Sequence, residues 1–183
     1  MTDEQKRDLS ISMMDANYYT VLLALPIILI LGVIYSASWG FDTILQDILA
    51  MLTNPIFFLL FIIAGIFVHE YLHKIGWMIF GKLPSSAIEF GFQFKTLSPY
   101  AHALQPMEIT AYRWGAALPF LVLGLLPAIV GIMRASSTLL LYGMIFIFAA
   151  GGDLLILWIT RFLKSGTKIE DHPTRAGCYV LEE

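Results

Sequence analysis

The chain has 183 residues, of which 58% are hydrophobic and 14% charged, with a formal net charge of −3 and a mean hydropathy of +0.75. A soluble domain carries about one quarter charged residues, so this composition describes an integral membrane protein, and its length suits one domain of about four spans among membrane lipids. No basic face appears, which excludes nucleic acid as a partner, and the single cysteine, Cys178, excludes an internal disulfide and a thiolate zinc cluster.

Residues 1–18 read as a polar N-terminal tail in which Lys6 and Arg7 are offset by Asp3, Glu4, Asp8 and Asp15, without the basic start of a secretory signal. Residues 19–38 form the first predicted transmembrane helix, with Pro26 as a tolerated kink and Tyr18, Tyr19, Tyr35 and Trp39 as interfacial anchors. Over residues 40–53, Phe41, Ile44, Leu45, Ile48, Leu49 and Leu52 recur at helical spacing with Asp42 and Asp47 opposite, which predicts a short helix lying in the interface. Asn54 followed by Pro55 is a helix-start signal, and a second span runs over 55–80.

The second half of that span, FVHEYLHKIGWMIF (residues 67–80), carries the chemistry. His69 and His73 stand four apart, so a helix puts both imidazoles on one face, where two zinc ligands converge; Glu70, about 100° round the helix, is placed to act as a general base. Ionisable groups inside an apolar span are costly and mark function.

Residues 82–111 are polar and aromatic. Within 87–95 (AIEFGFQFK) the strict alternation of Ile88, Phe90, Phe92 and Phe94 predicts a strand; Ser98-Pro99 supplies a turn, and residues 100–104 return as a second short strand. A small β-hairpin at the membrane surface fits this segment, and an ordinary interfacial loop fits it as well. A third span over 112–133 is made irregular by Pro119 and Pro127. The fourth, 138–162, contains one charge, Asp153, beside Gly151 and Gly152, which let another helix come close. Residues 164–183 form a polar C-terminal tail in which Cys178 is a free thiol. The predicted fold class is thus an all-α membrane protein, one domain over 19–163, with a β-hairpin-like segment between helices 2 and 3.

With the N-terminus in the cytoplasm, four spans place Lys6, Arg7, Lys82, Lys95, Arg113, Arg161, Lys164, Lys168 and Arg175 inside and only Arg134 outside, so both termini are predicted to be cytoplasmic. Spans two and four then enter from the same side. Pro55 to His69 rises about 21 Å and Thr138 to Asp153 about 22 Å, which brings Asp153 to the depth of the histidines as a third zinc ligand. Tyr71, Lys74, Tyr100, His102 and Tyr112 are candidates for oxyanion or supporting roles, and no spacing singles one out.

HEYLH in a hydrophobic helix, SPYAHALQPM, the proline-containing third span and GGD late in the fourth together resemble a bacterial family catalogued as a domain of unknown function and described as zincin peptidases, over roughly residues 55–160. More distantly the layout is similar to site-2 proteases, from which it departs in having GGD in place of an N-P-D-G-like motif. The resemblance implies a zinc metalloprotease of the bacterial cytoplasmic membrane, with Zn2+ at His69, His73 and Asp153, catalysis by Glu70, and a peptide or transmembrane protein as substrate. A membrane metal-binding or ion-transport protein and an inactive zincin-like scaffold are the alternatives.

Overall fold

The computed structural model describes residues 6–94 and 98–181. In chain order the elements are β1 (Lys6–Ile11), α1 (Met13–Trp39), α2 (Asp42–Thr53), α3 (Pro55–Phe80), β2 (Ile88–Gln93), β3 (Ser98–Ala103), β4 (Met107–Glu108), α4 (Ile109–Pro119), α5 (Leu126–Met133), α6 (Ser137–Ala149), α7 (Gly151–Thr160), β5 (Lys168–Asp171) and β6 (Ala176–Leu181). Three helices are long and apolar enough to cross a membrane: Met13–Trp39, Pro55–Phe80 and Ile109–Met133, the last running from α4 into α5 through a π-helical stretch, Phe120–Leu125. Pro119 and Pro127 flank that stretch, since each removes a backbone donor and loosens the ladder locally.

The predicted fourth span is not one rod. It breaks at Ala150, and α6 and α7 meet at 52°. The sequence Gly151-Gly152-Asp153 accounts for the break, because two glycines weaken the helix interior and Asp favours a first turn, where the N–H groups are unsatisfied. α1 also starts earlier than predicted. The Ser12 hydroxyl accepts from the Asp15 N–H at 3.2 Å and donates to its carboxylate at 2.6 Å, a cap that nucleates the helix at Met13. Tyr35, expected as an interfacial anchor, is wholly buried among α1, α5 and α6, whereas Tyr18 stands exposed.

The larger correction concerns the two tails. Neither is a loose polar segment: β1, β6, β5 and β4 form a four-stranded sheet in that order, with β1 antiparallel to β6 from Lys6↔Leu181 to Ile11↔Ala176. The fold is therefore helical with two sheets rather than all-α. Alternation drives it: Leu9, Ile169, Cys178 and Val180 point to one core with Trp77 and Tyr112, while their neighbours face outward. Cys178 is fully buried in this core, and burial pushes its thiol up to about 12, which leaves it unreactive.

The predicted hairpin is present, β2 pairing antiparallel with β3 from Ile88↔Ala103 to Gln93↔Ser98. Ser98-Pro99 is not its turn, since both residues belong to β3. Pro99 sits inside β3, and Lys95, which the alternation included, lies outside the described residues.

Candidate metal centre

The buried residues of α3 are His69, His73, Gly76 and Trp77, one helical face turned towards α4. Glycines set that approach: a Cβ on Gly76 would lie 2.6 Å from the Gly115 Cα. At this distance the Gly115 carbonyl reaches His73 Nδ1 at 3.0 Å. A carbonyl only accepts, so Nδ1 carries the proton and the Nε2 lone pair is free on the opposite side of the ring. Trp77 stacks on the same imidazole at 5.7 Å between centroids and fixes its plane.

The bend at Ala150 presents the first turn of α7 to these histidines. Asp153 Oδ2 lies 3.2 Å from His69 Nε2, and Oδ1 lies 3.3 Å from His73 Nε2. All three residues are buried. The two glycines have different parts: a Cβ on Gly151 would strike Thr20 of α1 at 2.2 Å, whereas Gly152 faces open space within the cavity wall.

These residues fit a zinc ion. Zinc–nitrogen and zinc–oxygen bonds of about 2.0–2.1 Å in a tetrahedron put ligand atoms about 3.3 Å apart; the two histidine–aspartate contacts, 3.2 Å and 3.3 Å, have that spacing, the three residues offer ligand atoms within 4.8 Å of one another, and two imidazoles with one carboxylate are a donor set zinc accepts. Asp153 Oδ2 and His69 Nδ1 are buried with no hydrogen-bond partner among the described residues. The only group beside Oδ2 in these contacts is the His69 ring nitrogen at 3.2 Å, and a bound cation would offset the cost of burying the carboxylate.

A cavity of about 410 Å³ opens from the three ligand atoms, bounded by Glu70, by Tyr100, Ala101 and His102 of β3, by Tyr112, and by the β5–β6 turn. The Ala101 N–H donates to the Glu70 carboxylate and holds it at the cavity wall. Of the supporting candidates, Tyr100, His102 and Tyr112 line this space. Lys74 instead lies over the Phe90 ring at 5.4 Å, and Tyr71 is exposed on the outer face of α3.

Sequence reasoning missed Asp171. Its buried carboxylate receives the Tyr112 hydroxyl at 2.8 Å, the Ala103 N–H at 3.1 Å and His102 Nδ1 at 2.9 Å, tying β5, α4 and β3 together. The hydrogen bond that His102 donates to the Asp171 carboxylate raises its pKa above the ordinary value against partial burial, so His102 is not the solvated loop residue its sequence setting describes. A signal did exist in the alternation of Ile169 with Asp171 and of Ala176, Cys178 and Val180.

The arrangement is that of a mononuclear metal site with a carboxylate beside it, built on membrane-length helices. The family described as "Putative zincin peptidase" matches residues 62–167, and the chain belongs to that family. No curated protein and no solved structure matches the chain, and the more distant likeness to site-2 proteases has no counterpart in these comparisons. The family accounts for a metallopeptidase and for zinc. Asp171 and most of the terminal sheet lie outside the matched residues.

Proposed function

We propose that this protein is a zinc-dependent peptidase that hydrolyses a peptide bond within or beside the bilayer of a bacterial cytoplasmic membrane. The observation that carries the reading is the convergence of His69, His73 and Asp153, whose candidate ligand atoms lie within 4.8 Å of one another, next to a second carboxylate, Glu70, that is not one of the three. His69, His73 and Asp153 would hold the ion. Bound zinc supplies Lewis acidity, which polarises a carbonyl and makes a water acidic enough to attack near neutral pH.

Glu70 takes the proton of the attacking water and delivers it to the leaving amine. The Ala101 N–H fixes its carboxylate for both transfers. A helical substrate segment must first unwind, because its own backbone bonds shield the carbonyl. The outer edge of β3 supports binding of the extended form through its carbonyls: antiparallel pairing turns the Ala101 and Ala103 backbone groups away from β2, and their N–H groups are already given to Glu70 and Asp171. Gly152 leaves the room beside Asp153 that a substrate side chain needs.

The test is Glu70→Gln in the purified, reconstituted protein. The amide cannot take the proton and is not a ligand, so zinc content should match the wild type while cleavage of a transmembrane peptide panel falls by about 10²–10⁴. Undiminished cleavage would remove Glu70 as the base and the mechanism with it.

A further inference from the structure

His102 is held at one end and open at the other. Its Nδ1 lies 2.9 Å from Asp171 Oδ2, and among the described residues nothing hydrogen-bonds its Nε2, which belongs to a side chain lining the cavity. Asp171 cannot swing, because its other contacts are the Ala103 N–H and the hydroxyl of the buried Tyr112, which also donates to the Gly177 carbonyl. His102 directly follows Ala101, the residue whose N–H holds Glu70, and one strand residue is about 3.3 Å along the chain. The imidazole and the Glu70 carboxylate line the same cavity. Of the other polar candidates, the Tyr112 hydroxyl is engaged on Asp171 and Gly177 and Lys74 lies over Phe90, while the Tyr100 ring packs on Gly91 and no hydrogen bond among the described residues orients its hydroxyl.

We propose that His102 donates Nε2–H to the oxyanion of the scissile carbonyl, with Asp171 as the positioning residue that orients the ring. This deepens the peptidase reading and rests on it. When the water oxygen bonds to the carbonyl carbon, the π electron pair moves onto the carbonyl oxygen and the water's proton goes to Glu70; His102 receives the new negative charge in a hydrogen bond. Because a carboxylate only accepts, Nδ1 is already a donor to Asp171, and donation from Nε2 requires the imidazolium. The surroundings favour that form. Asp171 and Glu170 on β5 and Glu89, opposite His102 on β2, all stabilise the charge, while partial burial and the neighbouring His172 oppose it.

The probe is a Phe-Leu phosphinic dipeptide analogue, a tetrahedral anion, compared by calorimetry with acetohydroxamate, which needs only the metal; the protein is full length and zinc-loaded in detergent. His102→Ala should weaken the phosphinate about 10²-fold and leave acetohydroxamate affinity and zinc content unchanged. His102→Gln, which keeps a donor, should lose less. In the wild type, phosphinate affinity should fall as pH rises through the raised His102 pKa, and Asp171→Asn should move that fall to lower pH. Equal phosphinate affinity in His102→Ala, or equal losses for both probes, overturns the proposal while the peptidase reading stands. Failure of the zinc-loaded wild type to bind the phosphinate overturns both.

Discussion

Replacing Gly76 by alanine tests whether the contact between α3 and α4 sets the metal geometry. The new Cβ would lie 2.6 Å from the Gly115 Cα, whereas ordinary contact begins at 3.4 Å, so the two helices must part by about 0.8 Å. No rotamer change relieves this, since the atom struck is backbone. His73, one turn before Gly76, depends on the same approach: a shift of that size takes its Nδ1 from 3.0 Å to about 3.8 Å from the Gly115 carbonyl, beyond hydrogen-bond range. Zinc sites tolerate about 0.2 Å in ligand distance, four times less than the displacement. We expect a stability loss of about 1–3 kcal/mol and zinc affinity lower by about 10–100-fold. Thermal unfolding of the apo protein reads the first, and competition with a fluorescent zinc chelator reads the second. Lower stability with unchanged zinc affinity would show that the contact packs the helices without aligning the ligands.

Asp153→Ala removes one of the three proposed ligands and should strip zinc under mild chelation that spares the wild type; retained metal would reduce Asp153 to a polar contact between helices. Reporter fusions after residues 40, 100, 136 and 183 should read outside, inside, outside and inside, and an outside signal at residue 100 would reverse the orientation. The folded-state pKa of His102 is raised above 6.5, so the stability its pair with Asp171 contributes is fully present below that pH and is lost as pH rises through the folded value. Melting temperature should therefore fall more between about pH 6 and about pH 9 in the wild type than in Asp171→Asn, and identical slopes would refute the coupling.

What was legible in the sequence follows from how local each signal is. The face shared by His69 and His73 comes from four residues of one helix, and the β2 alternation from four apolar positions, so both read directly. The place of Asp153 was accessible through depth alone, but the bend at Ala150 was not. A 25-residue apolar run gives the same hydropathy whether straight or broken, and only the glycine pair hinted at a break. The terminal sheet is the opposite case. Its outer pairing joins residues 6–11 to 176–181, and β5 has four residues with one aliphatic side chain, Ile169; no local window contains the partner that makes either segment a strand. Asp171 was lost with it, since a carboxylate in a supposed tail reads as solvated until β5 carries it beneath Tyr112.

The register of that sheet also decides how the molecule yields to force. Lys6 lies opposite Leu181 and Ile11 opposite Ala176, so the chain leaves the ladder at the same end on both strands. Tension between a point before Lys6 and a point after Leu181 peels the six residue pairs apart one after another, where a shear geometry would load them all together. An unfolding machine that grips either segment thus meets little resistance at first, and peeling β6 takes with it the strand that flanks β5 and Asp171. In a pulling experiment the support of the His102 side should fail at low force, with the bilayer-length helices still in place.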